Sequence, residues 1–92
     1  MQMGMSDTLK AIADPVRRNI LEMLKEEERS AGDIAKVFEL SGATVSYHLS
    51  QLKKAGLISE TKHKNFIYYK LNTTVFEEVL VWIYELGGKK DE

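Results

Sequence analysis

The 92-residue chain predicts a mainly α fold with a small β-hairpin, in the order helix, helix, helix, helix, strand, strand, helix. Three observations predict it. Between Ser41 and Gly56, Val45, Leu49 and Leu52 recur at helical spacing and leave the other positions small, polar or basic. A second short segment with helix-start signals, Ser30 to Phe38, stands immediately before it. From Leu57 to Leu71 the hydrophobic period changes to two, as in strands.

The elements follow in order. Ser6 is expected to cap a first helix to about Ala13 that buries Leu9 and Ile12. Asp14-Pro15 then restarts the chain, since aspartate is a good cap and proline suits the first helical position. The second helix runs to about Glu26, with Val16, Ile20, Met23 and Leu24 on one face, and Glu26-Glu27-Glu28 is its solvated end. Ser30 and Asp33 have capping-box spacing and open a third helix carrying Ile34, Val37 and Phe38. Glu39-Leu40-Ser41 makes a tight turn, and Ser41 caps the fourth helix. Gly56 fits the left-handed position at its end. Ile58–Lys62 and Phe66–Leu71 are strands around a three-residue His63-Lys64-Asn65 loop, with Asn65 at positive φ. Asn72 or Thr73 caps a last helix to about Leu86. Helix, short turn, helix and hairpin make a winged helix-turn-helix pattern. One domain is expected over residues 6–86, between a disordered N-terminus at 1–5 and a disordered tail at 87–92.

Composition narrows the function. With no cysteine there is no disulfide framework and no thiolate chemistry. No apolar run is long enough to span a bilayer, and no leader pattern opens the chain, so direct membrane insertion is not expected and the location is read as cytoplasmic. No nucleophile–base pair, glycine-rich phosphate loop or paired histidines is present, so the chain reads as no enzyme, with no catalytic residues and no cofactor. The net charge is −1, which at first disfavours nucleic acid. Its distribution reverses that reading: residues 41–70 carry five basic side chains and one acidic, Glu60, between two acidic segments.

On the fourth helix, Val45, Leu49 and Leu52 must face the domain, with His48 at the edge of their arc. His48 there is equally a packed, hydrogen-bonded histidine or a DNA contact. Ala43, Tyr47, Ser50 and Lys54 lie opposite, flanked by Thr44, Ser46 and Gln51. Glutamine can pair with adenine, hydroxyls can serve bases or phosphates, and Ala43 or Tyr47 can touch a thymine methyl. Lys53, Lys54 and the helix start at Ser41 suit phosphates. Lys62, His63 and Lys64 at the hairpin tip add phosphate or minor-groove contacts. Of Tyr68 and Tyr69, one is core and the other surface. The last helix is apolar nearly all round, which a lone surface helix should not be. Leu9, Phe76, Val79, Leu80, Trp82, Ile83 and Leu86 are therefore expected to form a two-fold homodimer interface.

The chain resembles the ArsR-type winged helix-turn-helix repressors from about Leu9 to Leu86. The resemblance rests on the run Leu9 to Leu21, on Ala31-Gly-Asp-Ile-Ala35, on Val45-Ser-Tyr-His-Leu49 with Leu52 and Ala55-Gly-Leu57, and on Tyr68-Tyr-Lys-Leu71. Within the family, Phe66 to Val75 is similar to the SdpR-type autorepressors, which lack metal sites. The resemblance implies a dimeric repressor that reads an inverted repeat in double-stranded DNA, regulates its own gene and is removed by a protein antagonist.

Many relatives of this type respond to metals, and the residues here do not match. The arsenic and cadmium type needs cysteines on the third helix, where Asp33, Ile34, Ala35 and Lys36 stand. The zinc and nickel type needs aspartate and histidine pairs on the last helix, which offers Thr73, Thr74, Glu77, Glu78 and Glu85 instead. Carboxylates alone rarely select a transition metal. No metal site is expected. Two other readings are a repressor of the same family that answers to a metal or small molecule, and a winged-helix interaction module that does not bind DNA.

Overall fold

The computed structural model describes residues 4–88. Helices α1 (Met5–Ala13) and α2 (Pro15–Glu26) are followed by a two-residue strand β1 (Arg29–Ser30), then α3 (Ala31–Phe38) and α4 (Gly42–Lys54). Strands β2 (Ile58–His63) and β3 (Phe66–Leu71) form the wing, α5 (Thr73–Ile83) follows, and Tyr84–Gly88 closes as a π-helical turn. This is the expected mainly α fold with one addition. The sheet has three strands in the order β1-β3-β2, because Arg29 and Ser30 pair with Tyr69 and Tyr68. Two residues after a glutamate run have no periodicity to read; only the docked edge of β3 makes them a strand.

The helix starts follow local chemistry. The Asp14 carboxylate accepts from the Arg17 backbone N–H at 3.0 Å, and Pro15 stands first in α2. Ser30 and Asp33 close the capping box in both directions. Two expected caps are corrected. Gly4, not Ser6, holds the cap position of α1, so Ser6 lies inside the helix. Asn72 stands at the cap of α5 but makes no capping bond; its amide donates to the Gly56 carbonyl at 3.0 Å, tying β3 to the end of α4. At the two ends expected to be disordered, Met5 begins α1 and Gly87 and Gly88 lie in the final turn, while residues 1–3 and 89–92 are outside the described residues.

The hairpin loop is shorter than expected. His63 pairs with Phe66, which leaves a two-residue loop of Lys64 and Asn65, and the positive φ falls on Lys64 at 59° rather than on Asn65. Gly56 takes φ 77° after α4, as its sequence position indicates.

Ile20, Ile34, Val45, Leu52 and Leu57 are the largest wholly buried side chains, so the core lies where α2, α3, α4 and the start of β2 meet. Each such burial stabilises the fold by about 1.5–3 kcal/mol. Val37, expected to pack, is exposed, because Ile34 and Phe38 already turn the apolar side of α3 inward. Of the first helix's apolar pair, Ile12 is half-buried against the core and Leu9 is exposed.

Candidate nucleic-acid interface

α4 divides its surface sharply. Val45, Leu49 and Leu52 are buried, while Ala43, Ser46, Tyr47, Ser50, Lys53 and Lys54 are exposed, with Thr44 and Gln51 half-buried. The helix presents its polar and small side chains outward because three aliphatic residues hold the opposite stripe in the core. Ser41 accepts from the Thr44 backbone N–H at 3.1 Å and donates its own hydroxyl to Thr44 Oγ1 at 2.9 Å. These two hydroxyls thus fix the start of the helix while remaining at the surface.

His48 is the packed histidine, not an outward-facing one. It is 9% exposed, and its Nδ1 lies 3.3 Å from Arg17 Nη1 and 3.9 Å from Asp14 Oδ2. A guanidinium can only donate, so in that hydrogen bond Nδ1 is the acceptor. Arg17 also donates from Nε to the Ala11 carbonyl at 2.9 Å and from Nη2 to the Lys10 carbonyl at 3.4 Å. One side chain therefore joins the end of α1, the start of α2 and the middle of α4. The Arg17 backbone N–H, backed by the nearby Arg17 guanidinium, holds the Asp14 carboxyl below its ordinary value against a partial desolvation that raises it.

The basic residues do not form one patch. Lys53 is ion-paired with Glu60 on β2, and that hydrogen bond raises its ammonium pKa above the ordinary value. Lys54, one residue on, is outside that pair and exposed. On the wing, side chains alternate: Lys62 sits opposite Ile67 and shares the face of Glu60 and Tyr69, while His63 sits opposite Phe66 on the other face. His63 meets Tyr68 edge-on with ring centroids 6.1 Å apart. Lys64 occupies the apex. Only Lys62 is therefore on the α4 side of the wing, where a cleft of about 360 Å³ runs between Ser46, Ser50, Lys53, Glu60 and Tyr69. Both tyrosines are half-buried; Tyr69 packs on the core, and burial pushes its phenol pKa up, while Tyr68 lies on the opposite face.

A second cleft, about 380 Å³, lies between α1 and α4 and is lined by Asp7, Lys10, Arg17, Gln51 and Lys54. Sequence reasoning singled out neither Lys10 nor Arg17. Both sit in a segment whose acidic residues outnumber its basic ones, so no local charge count could separate them.

The residues expected at a dimer interface fall into two groups. Leu9, Leu80, Trp82, Ile83 and Leu86 are exposed, together with Val81 and Tyr84. Val79 is buried within the domain, and Phe76 is half-buried against the core, because one side of α5 must attach there. Among the described residues, no group of three or more histidines, cysteines, aspartates or glutamates is placed to hold a metal ion. Among them also, no helix is long and apolar enough to cross a membrane.

The comparisons with known proteins agree with this geometry. Residues 14–60, from the cap of α2 into β2, match the model of the bacterial regulatory protein, arsR family. The transcriptional repressor SdpR of Bacillus subtilis is 45% identical over 87 residues, covering 95% of this chain and 97% of that protein. The transcriptional activator HlyU of Vibrio cholerae is 33% identical over 78 residues, 85% of this chain and 72% of its own. The structure of reduced HlyU superposes with a TM-score of 0.72 at 31% identity, covering 91% of this chain and 88% of that one. An ArsR family transcriptional regulator of known structure gives a TM-score of 0.81 at 25% identity, with 88% and 89% covered. The family is one of transcription regulators rather than enzymes. By the match across its helix-turn-helix and by its likeness to SdpR over nearly the whole length, this chain belongs to the arsR family of bacterial regulatory proteins.

Proposed function

We propose that the protein is a homodimeric, sequence-specific transcriptional repressor, acting in the cytoplasm, whose two α4 helices enter successive major grooves of an inverted-repeat operator. The observation that carries this reading is the split of α4: its aliphatic stripe is wholly inside, and Ala43, Ser46, Tyr47, Ser50 and Lys54 are left exposed beside the wing. Tyr47 and Ala43 supply apolar contact for thymine methyls, and Gln51 and the hydroxyls supply hydrogen bonds to base edges. Lys54, Lys62 and Lys64 meet phosphates, while His48 and Lys53 hold the helix in place.

The exposed apolar row Leu80, Val81, Ile83, Tyr84 and Leu86 supports a dimer, since a monomer would leave this row in water. A two-fold axis through α5 and Leu9 of α1 would set the recognition helices about 34–36 Å apart. The donor sets on α3 and α5 support a repressor that does not answer to metals. The SdpR likeness supports repression of its own gene and release by a protein antagonist.

Footprinting on the DNA upstream of the protein's own gene tests the central claim. A protected pseudo-palindrome, with affinity falling steeply as salt rises and far above that for scrambled DNA, is the expected result. Equal affinity for both duplexes refutes sequence-specific binding. The double variant Gln51→Ala, Lys54→Ala should lose the operator while staying folded; a non-DNA interaction module would show no operator binding to lose. Zinc or nickel added to the complex should not release it.

A further inference from the structure

We propose that the cleft between α1 and α4 is a phosphate seat, in which Lys10 and the fixed charge of Arg17 hold a backbone phosphate of the duplex beside the base-reading face. This deepens the DNA-binding reading and rests on it. The cleft is continuous with the recognition helix, because Gln51 and Lys54 line it as well as belonging to α4. Lys10, Arg17 and Lys54 bring three cations to it, against Asp7 as the carboxylate in its lining. Among the described residues none of these three cations is in an ion pair, whereas neighbouring Lys53 is neutralised by Glu60.

Arg17 is suited to a fixed role. Its guanidinium is held by the Ala11 and Lys10 carbonyls and by His48, so its charge is placed before any ligand arrives. Those acceptors are neutral carbonyls and a ring nitrogen, so the nearby Asp14 carboxylate offsets part of its field without pairing with it in a salt bridge. Lys10 and Lys54 are exposed and stand on the two helices that wall the cleft, and their flexible stems can close on an anion from both sides. A duplex whose major groove receives α4 carries phosphates along both edges of that groove. The wing offers Lys62 and Lys64 at one edge; this cleft offers the matching contact on the side of α1. The protein's acidic overall charge makes such local cation placement the means by which a backbone can be held at all.

The test compares Lys10→Gln, Asp7→Asn and Tyr47→Ala with the unaltered protein, each titrated with operator and with unrelated duplex across a salt series. Lys10 is exposed, so its substitution leaves the fold intact, which circular dichroism verifies. Lys10→Gln should weaken binding to both duplexes by the same factor and lower the slope of log affinity against log salt by about two, one for each copy of the proposed dimer. Asp7→Asn should tighten both. Tyr47→Ala should lose operator preference without changing the slope. An unchanged slope in Lys10→Gln overturns the phosphate seat while leaving the DNA reader standing. Inorganic phosphate at constant ionic strength separates the sources: if Lys10→Gln abolishes phosphate binding but leaves duplex binding as it was, the seat serves a free anion and the assignment to DNA is overturned. If the unaltered protein binds neither duplex, the proposed function itself fails.

Discussion

α4 and α5 are helices of similar length, 13 and 11 residues, that solve the same problem differently. α4 puts every aliphatic side chain of its stripe into the domain core and faces solvent with small, polar and basic groups and Tyr47. α5 attaches through Val75, Phe76 and Val79, then leaves Leu80, Val81, Trp82 and Ile83 outside, with Leu86 of the closing turn beyond them. The molecule is accordingly elongated, with extents of 53, 27 and 24 Å. What a helix offers a partner is what its own domain has not consumed. For α4 the remainder is hydrogen-bonding and charged, suited to a duplex; for α5 it is apolar, suited to a second copy of the same face.

The largest expected effect that sharpens this contrast is Leu52→Ala. Leu52 is wholly buried, and its truncation should cost about 3 kcal/mol of unfolding free energy in a denaturant titration. Leu80→Ala, in the exposed row, should leave the subunit's own fold nearly unchanged. If the two cost the same, the contrast between the helices is wrong.

Next comes Ile83→Asp, which places a charge in the middle of the exposed apolar row. Sedimentation should show a monomer with native circular dichroism. Operator affinity should fall by about a hundredfold as two half-sites cease to be bound together. A dimer that survives this change would move the interface away from α5.

Ser41→Ala removes the side-chain cap of α4 and should cost about 1 kcal/mol. Because Ser41 also braces Thr44, operator binding should weaken further than stability alone accounts for; equal losses would reduce Ser41 to a cap.

The smallest effect concerns acid. The Asp14 carboxyl titrates below its ordinary value in the folded protein, chiefly because the Arg17 backbone N–H bonds to its charged form. Its contribution is therefore complete above the unfolded value, near pH 4, and is lost as pH falls through the lower folded value. Unfolding curves between about pH 6 and pH 3 should lose stability at the acid end, and Asp14→Asn should flatten that limb. A limb of unchanged steepness would assign acid sensitivity to other carboxylates.

How much was legible in advance follows from the range of each interaction. The capping box at Ser30, the Asp14-Pro15 start, the Ser41 cap and the αL glycine at 56 were all readable, because each acts within about one helical turn. The α4 stripe was readable for the same reason: periodicity is a local property. Strand β1 was not, since two residues gain their pairing only from β3. The loop is one residue shorter than composition suggests, because cross-strand register decides whether His63 belongs to strand or turn. On the surface expected to meet DNA, the outward face of α4 and the basic hairpin are local features of the sequence, whereas the partners of their side chains are not. Lys53, drawn off by Glu60, and His48, drawn off by Arg17, have partners 7 and 31 residues away. Lys10 and Arg17 reach the recognition helix only through the packing of α1 against α4.

By itself, then, the order of residues determined which segments are helical, where α2, α3 and α4 begin, and that one face of α4 and most of α5 needed separate explanations. Hydrogen bonds to near neighbours and the period of apolar side chains are enough for that. The tertiary structure alone decided which polar groups remain available and which are used up inside, because that depends on what the fold brings within about 4 Å. Arg17 is the clearest instance: an ordinary helical arginine in the sequence, it becomes in the folded chain the link between three helices.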